Sequence, residues 1–506
     1  MSRKLSAGAK QALVLLVISG GILSCFFVVS GAANQLSLLR PRWNVPALKL
    51  ANETIEIDAQ TNFPLAPLGV NDFNATLQSP FGNFSLAIQS VTQNENSIHA
   101  VAKFPSSVAL DVLYDLKISA GGMQDVQRHA VKVLSAYKSE FTFIVWCDTQ
   151  VGYSQDYEEN WIRTYDLVNA MVDAANVLSP EFIILCGDIT ESALKSEYQF
   201  MYEQCMRLNV PIFVGPGNHD YFGTAEYQRW CQYTNFTFDY GPNYHFDYID
   251  TGMNLDALRD QYFNWLAADL AAHSSSAVKI VGGHAPPYQC NPGTGGQAFN
   301  KNFENHQQDF VSLLDANNVT AYIYGHDHKD KINYSNCTVI PANSTTKKTW
   351  YIQTASGRED GAFRIMHFKN KQMLNVTSLV NKTTSLRSQN ASFVALPRWT
   401  NMNLPQPAYI PYLDTAVNAS RANDLNAAPV HAIDCNVTNR FSQETFTSMT
   451  VLLNILSSSP SITTSSNGTV SVRIEKRTDM QNAYTVTFQF TLGPKSGIRL
   501  TATGAS

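Results

Sequence analysis

Five short polar clusters, each set just after an apolar run, constrain this chain more than any other feature of its 506 residues. Asp148-Thr149-Gln150 follows Phe141–Cys147, and Gly187-Asp188 follows Phe182–Cys186. Gly217-Asn218-His219-Asp220 follows Pro211–Val214, Gly283-His284 follows Val278–Gly282, and Gly325-His326-Asp327-His328 follows Val319–Tyr324. Short, nearly continuous apolar runs of this kind read as strands buried on both faces. Two further runs, Trp350–Thr354 and Phe363–Phe368, complete the series. Between them Trp161, Tyr165, Leu167, Val168, Met171 and Val172 recur at helical spacing, as do Leu258, Tyr262, Trp265, Leu266 and Leu270. Strand–helix alternation predicts an α/β domain over 139–385 whose sheet is covered by helices. In an open α/β sheet, ligands gather beyond the carboxyl ends of the strands. The five clusters are therefore expected to converge in space.

The converging side chains are Asp148, Gln150, Asp188, Asn218, His219, His284, His326 and His328. This set is rich in oxygen and imidazole and lacks cysteine, which suits Mn, Fe, Zn or similar divalent ions. The adjoining glycines let the backbone turn sharply. The order D-x-Q, GD, GNHD, GH, GHxH resembles the calcineurin-like metallophosphoesterase superfamily, over about 139–370. The resemblance implies a four-layer α/β/β/α sandwich with two divalent or mixed-valent metal ions at the strand ends. One ion would take Asp148, Gln150, Asp188 and His328. The other would take Asp188, Asn218, His284 and His326, so that Asp188 bridges. His219 would act on the substrate from outside the metal shell, with Asp220 orienting it. Two ions holding a bridging hydroxide and polarising the phosphate form the two-metal pattern for in-line displacement. A cationic His219 could stabilise the extra charge or protonate the leaving oxygen.

Gln150 departs from the commoner pattern, in which His stands at this place. Some branches of the superfamily carry Gln there. Its neutral amide oxygen is a weaker donor than imidazole, and it either binds the first metal loosely or points away. Purple acid phosphatases share the pattern but need Tyr three residues after the second Asp; here position 191 is Glu. Arg358 is read as a surface residue, with phosphate binding as the alternative. Trp146 and Tyr153 are read as packing. His99, His129, His245, His273, His306, His367 and His431 are treated as ordinary.

The flanks differ in texture. Residues 36–138 alternate apolar and polar positions in short segments split by turns, as in Thr54-Ile55-Glu56-Ile57 and Tyr114-Asp115-Leu116-Lys117-Ile118. This predicts an Ig-like β-sandwich with an accessory role. Residues 386–506 begin with a stretch containing Pro397, Pro405, Pro407, Pro411 and Pro429. Phe446–Leu456 follows as a helix or long strand, then two strictly alternating segments, and the whole is expected to be a small β-rich or α+β domain. At roughly 100–200 residues per domain, three domains fit the length.

The N-terminus carries an export signature over residues 1–35. Arg3, Lys4 and Lys10 precede an uncharged stretch from Ala12 to Ala33, long enough for a membrane span and ending in Ser30-Gly31-Ala32. Signal peptide and uncleaved signal-anchor both fit. In either case the remainder faces the lumen or the cell exterior, membrane-anchored or secreted. Sequons beginning at Asn52, Asn74, Asn83, Asn235, Asn318, Asn333, Asn336, Asn343, Asn375, Asn381, Asn390, Asn418, Asn436 and Asn467 agree with a glycosylated, exported surface. Beyond Cys25, in the export segment, the cysteines are Cys147, Cys186, Cys205, Cys231, Cys290, Cys337 and Cys435. Cys147 and Cys186 lie in apolar runs and read as buried thiols. Pairing among the others is open. A net charge of -5 gives no reason to expect a nucleic-acid partner.

The sequence thus reads as an exported phosphoesterase hydrolysing phosphate mono- or diesters, tethered to a membrane if the N-terminal segment is uncleaved. The rival is a surface binding or adhesion protein on a phosphoesterase scaffold with little or no turnover. Imidazole binds first-row divalent ions better than an amide oxygen does. Gln150→His is therefore expected to raise metal occupancy at the first site after dialysis. Equal occupancy in the two proteins would mean that Gln150 is not a ligand or that geometry overrides donor type.

Overall fold

A computed structural model of the chain describes residues 35–153, 161–251, 260–290, 297–299, 306–328, 331–334, 349–360, 362–373, 392–395, 413–414, 423, 425, 428–438, 446–465, 469–493 and 496–504. The export segment, Cys337, and the sequons at Asn336, Asn343, Asn375, Asn381, Asn390, Asn418 and Asn467 lie outside them, as do Leu258, Pro397, Pro405, Pro407 and Pro411.

The alternating N-terminal segments form two sheets. One orders Leu36–Arg40, Thr54–Thr61, Ser97–Lys103 and Ala87–Asn94. The other orders Ala47–Leu50, Met123–Leu134, Val112–Ala120, Phe73–Ser79 and Gly82–Ser85. In Val112–Ala120 every second residue is buried, because side chains alternate across a strand. These inward residues join those of the first sheet in one apolar cluster that includes Leu38, Ile57, Phe73, Ala100, Tyr114 and Val131.

The central region is built on two six-stranded sheets. The first contains β1 (Glu140–Trp146), β2 (Ile183–Cys186) and β3 (Ile212–Gly215), mutually parallel. The second contains the hairpin β4 (Phe236–Tyr240) and β5 (Tyr244–Tyr248), then β6 (Val278–Gly282), β7 (Ala321–Tyr324), β8 (Lys331–Tyr334) and β9 (Trp350–Gln353). In it β5, β6, β7 and β9 run parallel, in that order, with β8 antiparallel at the far edge. The chain then returns to the first sheet as β10 (Ala362–Lys369), antiparallel to β1. Among the described residues the longer helices are α1 (Trp161–Leu178), α2 (Lys195–Cys205), α3 (Thr224–Trp230), α4 (Asp260–Ala272) and α5 (Gln307–Ala316), with one further turn at Gly357–Asp360.

The strands are apolar on both faces because both faces are covered. Phe141, Phe143 and Val145 of β1 join Phe182 and Phe213 against Phe246, Tyr248, Ile280 and Ile323 of the second sheet. Ile144 and Trp146 turn the other way and pack with Val168, Met171 and Val172 of α1. The outer face of the second sheet, with Val281 and Tyr322, meets Leu266 and Leu270 of α4 and Phe310 and Leu314 of α5. Trp146 is therefore a core residue, as its apolar run suggested.

The C-terminal residues do not keep their apolar face to themselves. Phe446–Leu456, open between helix and strand in the sequence, is the strand Phe446–Ile455. Its Val451 and Leu453 join Val486, Phe488 and Leu500 in the same cluster as α1 and α2. Asn176 of α1 and Asn209 both donate to the Asn423 carbonyl, at 3.4 and 2.9 Å. Cys147, Cys186, Cys205 and Cys231 are buried free thiols, and Cys435 is buried.

The hairpin β4–β5 was not among the runs expected from sequence. Its residues, FTFDY and YHFDY, place aromatic rings on one face and Thr, Asp or His on the other. No continuous apolar run results.

Phe182 sits at the centre of the intersheet contact, with ring centroids 5.1–5.9 Å from Phe143, Phe213, Phe238 and Phe246. Phe182→Ala should cost ~3–5 kcal/mol through lost burial and the cavity left behind. The check is the shift in denaturant midpoint at unchanged m-value.

Candidate metal centre

All five polar clusters leave their strands at the same edge of the two sheets, and the chain there takes up unusual backbone. Asp148, Gln150, Asp188, His326 and His328 all have positive φ, at 50, 35, 52, 75 and 53°. Non-glycine residues seldom adopt this region, and it concentrates at functional sites. The sequence assigned the sharp turns to the glycines; the candidate ligands themselves take much of this geometry. Two glycines remain necessary for close approach. A Cβ on Gly217 would sit 2.0 Å from the Asp188 backbone nitrogen, and one on Gly325 2.2 Å from Asp148 Oδ2.

The expected ligands do come together. His284, fully buried, places Nδ1 2.9 Å from the Cys186 carbonyl. With Nδ1–H donating there, Nε2 is left with a lone pair. It points at Asn218 Oδ1 (3.1 Å) and Asp188 Oδ2 (3.3 Å). His326 brings Nδ1 within 2.8 Å of the same Asn218 oxygen and 3.2 Å of His284 Nε2. On the other side His328 Nε2 lies 3.3 Å from Asp148 Oδ1. The His326 amide donates to both Asp148 oxygens, at 3.1 and 3.0 Å. Asp148, Asp188 and His284 each offer a donor atom within 4.8 Å of the other two.

Gln150 belongs to this group by position. It is fully buried, and its amide nitrogen donates to Asp188 Oδ2 at 3.3 Å. Its Oε1 is buried and has no hydrogen-bond partner. An orphaned acceptor of this kind costs about 1–3 kcal/mol unless something fills the gap. Acceptors also crowd His284 Nε2, and lone pairs facing lone pairs repel unless positive charge lies between them. His284 shows the same demand: burial pulls its pKa down, but Asp188 and Asp148 outweigh this and lift it to about 10. Burial by itself would raise Asp188, yet His284 and His219 hold it below the ordinary carboxylate range. The residues fit a cationic metal centre.

Asp220 and His219 are arranged differently from the expectation. Asp220 is fully buried and does not orient His219. Its carboxylate accepts from the Gly217 and Ile189 amides (2.7 and 3.2 Å) and from Tyr198 OH (2.9 Å). It thereby clamps the second and third motif loops together. Burial, then the charge of Asp188, pushes its pKa up to about 7. The His219 ring is held instead by the Glu191 carbonyl, 2.6 Å from Nδ1. Its Nε2 faces Asp188 Oδ2 at 4.0 Å, outside direct contact.

Glu191 was noted in the sequence only for not being Tyr. Its carboxylate lies 3.6 Å from His219 Nδ1 and 3.3 Å from Arg358 Nη1. Arg358 is not a surface residue: its side chain is 13% exposed and its guanidinium lies 3.8 Å over the Tyr153 ring. Its backbone amide donates to the Asp148 carbonyl at 3.0 Å. A cation and a carboxylate thus stand beside His219. No spacing rule could have found them, since the link is tertiary.

The family described as calcineurin-like phosphoesterase matches residues 141–330. Over 41 residues the chain is 44% identical to a protein named as a probable glycerophosphodiester phosphodiesterase of Arcobacter nitrofigilis. That stretch covers 8% of this chain and 15% of the curated relative, well short of two thirds of its length. A solved structure of a purple acid phosphatase from yellow lupin (Lupinus luteus) seeds aligns with a TM-score of 0.39 at 10% identity, covering 72% of this chain and 74% of that one. Residues 141–330 of this chain are a calcineurin-like phosphoesterase domain.

Proposed function

We propose that the protein is an exported metal-dependent phosphoesterase of the branch with Gln in its first motif, acting on phosphate mono- or diesters. The observation that carries this reading is the convergence of lone pairs: His284 Nε2, Asn218 Oδ1 and Asp188 Oδ2 meet within 3.3 Å contacts, beside the orphaned Gln150 Oε1. Asp148, Gln150, Asp188 and His328 would hold one ion. Asp188, Asn218, His284 and His326 would hold the other. Such a pair of ions supplies charge stabilisation for the phosphoryl oxygens and a water acidic enough to attack at neutral pH.

The remaining chemistry belongs to the chain. Nδ1–H of His219 is committed to the Glu191 carbonyl, so Nε2 is the atom free to meet a substrate oxygen. It can stabilise developing charge there or deliver a proton to the leaving group. Arg358 stands across Glu191 from that ring and offers its guanidinium for a phosphate oxygen. The Gly217 and Ile189 amides spent on Asp220 hold the loop that presents His219.

The same reading places the central sheets in the four-layer α/β/β/α architecture, between an N-terminal β-sandwich and a β-rich C-terminal region. Export rests on the basic and apolar N-terminal stretch with the sequons. Among the described residues no helix is long and apolar enough to cross a membrane. A membrane tether therefore rests on residues 12–33, outside that set.

Chelation should abolish phosphate release from an aryl phosphate, and added Mn²⁺ or a similar ion should restore it. Full turnover in stripped protein would sink the mechanism. Asp188→Asn is expected to lose metal and rate together. His219→Asn should keep its metals and lose roughly 10²–10⁴ in rate. Metal analysis alongside single-turnover rates separates the two, and a His219→Asn protein with near wild-type turnover on an alkyl phosphate would overturn its role.

A further inference from the structure

The outward face of β5 carries a second set of metal-type side chains. Tyr244, Phe246 and Tyr248 point into the intersheet core, so His245 and Asp247 between them point the other way, towards α4. Both are buried, at 1% and 3% exposure. The last turn of α4 contributes Asp269. His245 Nε2 lies 2.9 Å from Asp269 Oδ2 and 3.2 Å from Asp247 Oδ2. On the other side of the ring, Nδ1 lies 2.8 Å from Asp239 Oδ1 on β4. Thr237 donates its hydroxyl to Asp269 Oδ2 at 3.1 Å. His273 stacks on His245 with ring centroids 3.7 Å apart and places Nδ1 2.9 Å from the Asp269 carbonyl. Lys279, beside His245 in the β5–β6 register, turns its ammonium to the Ser276 carbonyl at 3.3 Å.

Two observations set this cluster apart from a plain ion pair. Both oxygens of Asp247 are buried and make no well-formed hydrogen bond; Oδ1 has no polar neighbour that bonds it, and Oδ2 has only the 3.2 Å contact with His245 Nε2. A carboxylate shut away from water and so poorly supplied with donors is costly, and a bound cation removes that deficit. The geometry also suits an ion. His245, Asp247 and Asp269 each offer one donor atom within 4.8 Å of the other two. Ligands about 2.0–2.1 Å from a common ion stand about 3.0–3.4 Å apart, close to the two contacts at His245 Nε2. The Nδ1–H bond to Asp239 is the outer support that fixes the tautomer of a metal-bound imidazole.

We propose that His245 Nε2, Asp247 and Asp269 form a separate structural metal site for one divalent ion of the Zn²⁺ class, pinning β5 to α4. One imidazole and two carboxylates with no thiolate suit Zn²⁺ or Mn²⁺. The competing occupant is a proton, with an imidazolium bridging Asp239 and Asp269 and a neutral Asp247.

The test measures Zn²⁺ per chain by mass spectrometry after loading and dialysis, in full-length Asp188→Asn protein where the first centre is disabled. That protein should retain about one ion and gain thermal stability from Zn²⁺, as any ligand of the native state confers. Adding Asp247→Asn or, as a second variant, Asp269→Asn should remove both effects. In the otherwise wild-type chain, Asp247→Asn should leave phosphate release unchanged while the ion count falls by about one. Absence of Zn²⁺ from the Asp188→Asn protein, or equal content in all the variants, would overturn the proposal in favour of the proton.

Discussion

Asp188 is the constraint on which the strand-end architecture depends. It is 1% exposed, yet its carboxylate must meet the His219 amide, the Gln150 amide and His284 at once. That requires a left-handed backbone at Asp188, a glycine at 217 to let its amide approach, and a neighbouring loop held in place by Asp220. A buried carboxylate with these neighbours is tolerable only where positive charge joins it. The stability of this corner is therefore tied to the charge it binds.

The two sheets make that corner rigid. Phe143 and Phe213 of the first sheet, with Phe182 just before β2, interlock with Phe238 and Phe246 of the second. Strands fixed by such packing hold their terminal residues within a narrow range, as a pre-organised site needs. The flanking regions take part. Asn44 donates its side-chain amide to the Cys231 carbonyl at 2.8 Å, and Trp43 donates to the Trp230 carbonyl at 2.9 Å. The C-terminal strands complete the cluster that covers α1. Separate in composition, these segments are joined in packing.

The hairpin β4–β5 shows how one element can serve two purposes. Its aromatic face closes the intersheet core, and Tyr248 reaches the Pro216 carbonyl beside the third motif at 2.9 Å. Its polar face collects His245, Asp247 and Asp239 against α4. The strand period of two keeps the two chemistries on opposite sides.

Sequence order alone determined the seven strand-like runs, their helical interludes and the polar clusters after them, because a strand covered on both faces leaves an apolar run that needs no partner to be read. It also identified the residues that meet at the strand ends, since local turns and donor types are written in adjacent positions. What it left undecided was set by contacts between distant segments. The orienting group of His219 is a backbone carbonyl, which every residue possesses and no motif marks. Arg358 enters the wall of the site only when the chain after β9 crosses back towards Tyr153 and Glu191. His245 and His273 looked ordinary because their carboxylate partners come from β4, β5 and α4, and only the folded sheet and helix bring those charges into one buried space.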